Sequence, residues 1–212
     1  MMRIPAAKTA VPELPPWFTP RPQVWHPVDA AAPDQLVTVV APAGYGKTAL
    51  LAEWARHTTR TTAWVSLDED DADPRRLWSA VLAAVVSAGV VATDSPLRRL
   101  HDRVPDAWSG RDGEDLTDDL LAGLETLRPR VRLVLDDVHV LARHRTGIAA
   151  LARLLRRRPA GVGLVLAARS DPPVGLPRLR LEGGLCELRA EQLRFGVEDA
   201  AALLGSSGCV LA

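Results

Sequence analysis

Asparagine is absent from this chain, and lysine occurs only twice, at Lys8 and Lys47, against 24 arginines. So lopsided a basic set reads as a GC-rich coding bias, which makes the position of each lysine worth explaining. Cysteine is as scarce. Cys186 and Cys209 are too few and too far apart for a disulfide framework or a cysteine metal cage, and they fit thiols of a reducing compartment. Neither sign of charge is in excess, because Lys plus Arg and Asp plus Glu both total 26. That balance argues against a dominant nucleic-acid-binding surface and leaves room only for a local basic patch. Long apolar runs are missing too. The uncharged stretch Leu77 to Ala92 falls short of the ~20 residues a membrane span needs. Ser79, Ser87 and Gly89 dilute it, and Leu77, Val81, Val85 and Val86 mark one face of a buried helix. The first 22 residues lack the continuous apolar core of a signal peptide. The expected compartment is the cytoplasm, with no membrane partner.

What is present suits one soluble α/β domain: 212 residues, 47% apolar and 25% charged. Residues 1–20 carry Pro5, Pro12, Pro15, Pro16 and Pro20 and read as a loose, flexible arm. Short apolar runs then alternate with helical patterns. The runs are Leu36–Val40, Ala63–Leu67, Val131–Leu135, Val162–Ala167 and a weaker Leu185–Leu188. Each is short and non-alternating, as strands buried on both faces are. Helices are expected at Lys47–Arg56, Pro74–Ala88, Glu114–Leu127, Gly147–Arg157 and Val197–Leu204. Asp73-Pro74 marks a helix start, a capping side chain before a proline at the first helical position. In the third helix Leu116, Leu120, Leu124 and Leu127 repeat on one side. Such an alternation gives a parallel sheet covered on both faces. Residues 89–113 show no clear pattern.

The strand Leu36–Val40 runs straight into Ala41-Pro42-Ala43-Gly44-Tyr45-Gly46-Lys47-Thr48. This fits the phosphate-binding pattern G-x-x-x-x-G-K-[S/T] with Ala41 in place of the first glycine. Gly44 and Gly46 let the backbone curl so that successive N–H groups face phosphate oxygens. Lys47 bridges the β- and γ-phosphates, and the Thr48 hydroxyl ligates Mg²⁺. The helix starting here adds its positive end and brings Ala49 to the same site. One of only two lysines in the chain falls on the one position where the motif demands lysine. The expected cofactors are therefore ATP or ADP with Mg²⁺.

Roughly 90 residues further on, Val131-Arg132-Leu133-Val134-Leu135 ends in Asp136-Asp137. Beside a phosphate loop, such a strand end supplies one acid to the Mg²⁺ shell, Asp136, and one to orient the attacking water, Asp137. The run Val162 to Ala168 ends in Ala168-Arg169. If its strand lies between the other two, Arg169 emerges beside the γ-phosphate. Asp68, Asp70, Asp71 and Asp73 fit a solvated acidic loop better than a metal site, His139 is most simply structural, and Arg156-Arg157-Arg158 fits the end of a surface helix.

These residues, with their surroundings, resemble a known family. Arg21-Pro22, VTVVAPAGYGKTALLAEWA, AWVSLDEDDADPRRLW, LVLDDVHVL, LVLAARSDPP and ELRAEQLRF recur in this order in the ATPase domains of MalT-like, LuxR-type transcriptional regulators. Those domains are signal-transduction ATPases of the STAND class. The resemblance covers about residues 20–204. It implies a three-layer P-loop NTPase with a five-stranded, mainly parallel sheet of the additional-strand type, order 5-1-4-3-2, with the Arg169 strand between the phosphate-loop and Asp136 strands. It further implies that Arg21 and Pro22 line the adenine side, that Arg169 senses the γ-phosphate, and that His139, matching LDD-x-H, has a functional role. ADP would mark the resting form, and ATP a form that associates with itself or with a partner regulator.

Members of that family continue into winged-helix, repeat and helix-turn-helix domains. The present sequence stops at a short tail, residues 205–212, after an NTPase domain at 21–204. The expectation is an ATP-binding, slowly hydrolysing switch domain that does not itself bind DNA. The alternatives are a stand-alone P-loop kinase or ATPase acting on a small molecule, and an interaction module with a vestigial nucleotide site. The first lacks a recognisable Arg-rich lid; the intact Lys47, Thr48, Asp136 and Asp137 oppose the second.

Overall fold

The computed structural model describes residues 4–102 and 113–206. Five strands form its centre: β1 (Leu36–Val40), β2 (Thr62–Ser66), β3 (Val131–Asp136), β4 (Val162–Ala168) and β5 (Leu185–Arg189). They lie in the order β2-β3-β4-β1-β5, and every neighbouring pair is parallel. Read from the other edge this is the expected 5-1-4-3-2, with β4 between β1 and β3. The strand limits differ from the sequence reading by no more than a residue at either end, because strands buried on both faces need only continuous apolarity.

Successive side chains of each strand feed opposite layers. Val131, Leu133 and Leu135 of β3, with Leu164 and Leu166 of β4, face one apolar cluster that includes Leu77, Val81, Leu120 and Leu151. Val134, Val165, Val37 and Val39 face a second cluster with Leu50, Leu51, Trp54 and Val28. The first layer is therefore covered by α4 (Pro74–Ser87), α5 (Pro96–Asp102), α6 (Gly113–Glu125) and α7 (Arg145–Arg157), and the second by α2 (Pro22–Ala30) and α3 (Lys47–His57). The result is a three-layer αβα sandwich. Asp73 caps α4 as expected, its side chain accepting from Arg75 N–H at 2.9 Å. No helix among the described residues is long and apolar enough to cross a membrane.

Three regions depart from the sequence reading. The arm is not loose from Ile4 onward: α1 (Ala6–Thr9) lies against the domain, and Lys8 is buried. Its ammonium pairs with Asp71 at 2.6 Å and Asp68 at 2.7 Å. Prolines rule out a long helix but not a docked one, and a single buried cation anchors this one. Second, α2 was not among the expected helices, and it carries two prolines, Pro22 and Pro27. Pro22 occupies the first helical position, where no N–H is needed. Pro27 lies inside, and the helix holds through the buried Val24 and Val28 at i, i+4 spacing. Third, within 89–113 the segment Pro96–Asp102 forms α5 over the buried Leu97; residues 103–112 lie outside the described part, as do the side chain of Leu116, Cys209 and the tail beyond Ser206.

The phosphate-loop site

β1 delivers Ala41 to the carboxyl edge of the sheet, where its N–H donates to Ala168 O at 3.2 Å. Gly44 and Gly46 take φ values of +84° and +74°, a left-handed region in which a side chain would be strained. Ala41 needs no such conformation, which explains why a methyl is tolerated where the motif has glycine. Pro42, Ala43, Gly44 and Gly46 are exposed along the loop, while Thr48 and Ala49 are half-buried at the start of α3. Lys47 is buried, and its ammonium donates to Ala41 O at 2.8 Å and Pro42 O at 3.0 Å. Two of its three donors thus hold the cation over the loop, and one remains. Burial pushes its pKa below the usual lysine value, with Asp137 and then Asp136 opposing that shift.

The Thr48 hydroxyl donates to Asp136 Oδ2 at 2.7 Å. Asp136 Oδ1 accepts from Asp137 N–H at 3.0 Å. Burial pushes the Asp136 carboxyl above the ordinary carboxylate range, against the hydrogen bond from Thr48. A threonine hydroxyl and a carboxylate in contact are hard oxygen donors of the kind Mg²⁺ prefers, and few protein ligands are needed when phosphates supply the rest. Thr48 and Asp136 therefore fit that ion.

Asp137 follows in the left-handed region, φ 59°, ψ 35°, sparsely occupied except by Gly, Asn and Asp. This backbone reversal turns its side chain away from the buried Asp136 and toward His139, whose Nδ1 lies 3.6 Å from Asp137 Oδ1. Burial lowers the His139 pKa, with Asp137 the main opposing influence. Arg169 is exposed just beyond β4 and makes no hydrogen bond or ion pair among the described residues. Its charge is felt by both Lys47 and His139. Lys47, Thr48, Asp136, Asp137 and Arg169, from three neighbouring strand ends, thus converge on one place.

Arg21 has a different position. Its backbone N–H donates to Glu53 of α3, its guanidinium donates to Leu193 O at 2.6 Å and Arg194 O at 2.9 Å, and it pairs with Asp199 at 3.2 Å. It lies 4.7 Å over the Phe195 ring. It also lines an apolar cavity of ≈ 190 Å³ beside Tyr45, Gly46 and Ala49, walled by Trp17, Phe18 and Phe195. Pro22 is exposed and is not among the residues lining that cavity. The aromatic wall and Glu53 were missed by sequence reasoning. Glu53, a carboxylate inside the apolar run of α3 and only 2% exposed, was the one available signal.

The acidic residues after β2 are occupied structurally. Asp68 and Asp71 bind Lys8, Asp70 pairs with Arg76 at 2.9 Å, and Asp73 caps α4. The loop is thus not simply solvated, since Asp71 is completely buried.

Residues 31–171 match the model of the AAA domain family. The chain is 33% identical over 168 residues to the HTH-type transcriptional regulator MalT of Serratia proteamaculans, covering 78% of this chain and 18% of that protein. The MalT of Yersinia enterocolitica is 30% identical over 168 residues, with the same coverage. The chain thus spans about a fifth of the length of these curated relatives. Among solved structures, the Aeropyrum pernix Orc1 protein in complex with DNA matches with a TM-score of 0.59 at 20% identity, over 88% of this chain and 46% of that one. That likeness concerns the fold. The matched residues take in the phosphate loop, Asp136, Asp137 and Arg169, and the chain belongs to the AAA domain family, as a MalT-like P-loop ATPase domain.

Proposed function

We propose that this domain binds ATP and ADP with Mg²⁺, hydrolyses ATP slowly, and serves as the nucleotide switch of a signal-responsive, STAND-class transcriptional regulator of the cytoplasm. The observation that carries the reading is the 2.7 Å contact between Thr48 and Asp136, which joins the phosphate loop to the acidic strand. Loop N–H groups and the positive end of α3 hold the phosphates, and Lys47 reaches the β- and γ-oxygens with its remaining donor. Thr48 and Asp136 would hold Mg²⁺, which would supply positive charge to offset the negative charge of the phosphates. Asp137, exposed enough to meet water and 3.6 Å from His139, orients the attacking water; Arg169 reads the γ-phosphate. The apolar cavity beside Tyr45 and Arg21 receives the base. Arg21 also holds the chain at Leu193, Arg194 and Asp199, so base binding and the position of the C-terminal segment meet at one side chain. In the ATP form the domain associates with itself or with a partner regulator.

Titration calorimetry tests the reading. Wild-type protein should bind Mg·ATP and ADP, and Lys47→Ala, which removes the cation from the loop, should weaken ATP binding sharply. Equal affinities in the two proteins would overturn it.

A further inference from the structure

At the amino ends of the strands, on the rim opposite the phosphate loop, three arginines come together around one carboxylate, Asp29, which pairs with Arg60 at 4.0 Å. Arg132 is the second residue of β3 and is buried, 3% exposed. β3 rises about 3.3 Å per residue, which puts Arg132 roughly 13 Å along the strand from Asp136. Its Nη2 donates to Ala31 O at 2.7 Å, yet its buried Nη1 has no hydrogen-bond partner. Buried guanidinium donors are rarely left unpaired, because their desolvation is then uncompensated.

The space around this group is built to hold it. Gly163 stands opposite Arg132 in the sheet, and a Cβ there would meet Arg132 Nη1 at 2.7 Å. Arg60 and Arg130 act on Arg132 repulsively, opposed by the Cys186 thiol and by one carboxylic acid, Asp29. That acid is already engaged by Trp54, Thr58 and Arg60. Arg130 is exposed and makes no hydrogen bond or ion pair among the described residues. Together Arg60, Arg130 and Arg132 line a groove of ≈ 260 Å³, along with Thr59 and Thr61. Three guanidinium groups, of which Arg130 is unpaired among the described residues and Arg132 keeps an unpartnered Nη1, outnumber the one carboxylate beside them, which is the chemistry of an oxyanion site.

The geometry points to a second ligand site in this groove, one that takes a small oxyanion-bearing molecule through Arg60, Arg130 and Arg132, separate from the phosphate loop. The two chemistries that fit are a polyphosphate and a polycarboxylate, and both are recognised by the same forked donors. The site is independent of the nucleotide reading, since it shares no residue with the phosphate loop.

The experiment uses the whole chain with ADP and Mg²⁺ saturating the first site, and follows backbone amide shifts on adding pyrophosphate or, separately, citrate. Saturable shifts at Thr61, Val131 and Gly163 in the low-millimolar range or tighter support the site, and the tighter anion identifies its class. Arg130→Ala, a change at an exposed side chain, should weaken that binding at least about fivefold and leave ADP affinity unchanged. Arg60→Ala should weaken it similarly. Shifts confined to the phosphate loop, binding that fails to saturate, or binding unaltered in both variants would overturn the proposal. If ADP itself does not bind, the nucleotide reading fails, while shifts at Gly163 still decide this one.

Discussion

Asp136 and Asp137 are adjacent in sequence but differ in surroundings. Asp136 is sealed at the end of β3 by Thr48, whereas the left-handed backbone of Asp137 swings its carboxylate outward beside His139. The two should therefore fail differently. Asp136→Ala removes an oxygen donor from the proposed Mg²⁺ site and should weaken Mg·ATP binding itself. Asp137→Asn keeps the size and tolerates the left-handed backbone, but loses the charge that polarises water. It should leave binding nearly intact and slow hydrolysis by about 10²-fold or more. Single-turnover hydrolysis measured alongside nucleotide binding distinguishes the outcomes. Wild-type hydrolysis in Asp137→Asn, or a binding loss as deep as that of Asp136→Ala, would refute this division of roles. Both residues could be singled out in the sequence only because a phosphate loop lies upstream, since an apolar strand that ends in two acids is common by itself. Arg21 was readable only as part of a motif. Its contacts reach 172 residues along the chain to Leu193, a distance no local pattern encodes.

At the scale of elements, α1 is held across a packed surface by one buried cation, Lys8, paired with Asp71 and Asp68. Lys8→Ala would leave the fully buried Asp71 with the Asp68 N–H but without its cation. Breaking a buried pair in this way is destabilising by about 3–5 kcal/mol. Burial already pushes the Asp71 carboxyl above its ordinary range, so protonation relieves part of the loss, and the lower end is expected. Urea unfolding of the variant near neutral pH measures it; a change below about 1 kcal/mol would mean that α1 is not anchored by Lys8.

β5 is stabilised by charge in another way. Arg180 donates to Glu187 at 2.7 and 2.8 Å, and Arg189 also bonds it. Arg180 first, then Arg189, holds the Glu187 carboxyl at about 2 instead of 4.5. A depressed carboxylate pKa stabilises the fold above the unfolded value, and that contribution disappears as pH falls toward 2. The melting temperature of Glu187→Gln should therefore lie below wild type at neutral pH and converge with it between about pH 4.5 and 2. A constant gap across that range would show that the Arg180–Glu187 contact does not act through charge. The helix α2 shows why some elements were not legible. Its prolines argue against a helix locally, while the burial of Val24 and Val28 and the Arg132 bond to Ala31 O exist only after folding.

For the molecule as a whole, charge is balanced, with 26 basic and 26 acidic residues. The chain alone is expected not to bind DNA with sequence specificity. A gel shift at physiological salt with a clear footprint would contradict that. The order of the sheet matters more to the proposed chemistry than any single strand. By inserting β4 between β1 and β3, the fold brings Arg169 within electrostatic reach of Lys47 and His139. The sequence by itself determined the five strands, the phosphate loop and the acids after β3, because apolar runs, left-handed glycines and a required lysine are local necessities of backbone and phosphate chemistry. Only the tertiary structure decided that Lys8 anchors the arm, that Arg21 clasps the C-terminal segment, and that Arg60, Arg130 and Arg132 share one groove. Those pairings are set by which strand and helix ends become neighbours, and that follows from burying two apolar faces at once, not from any neighbouring residue in the chain.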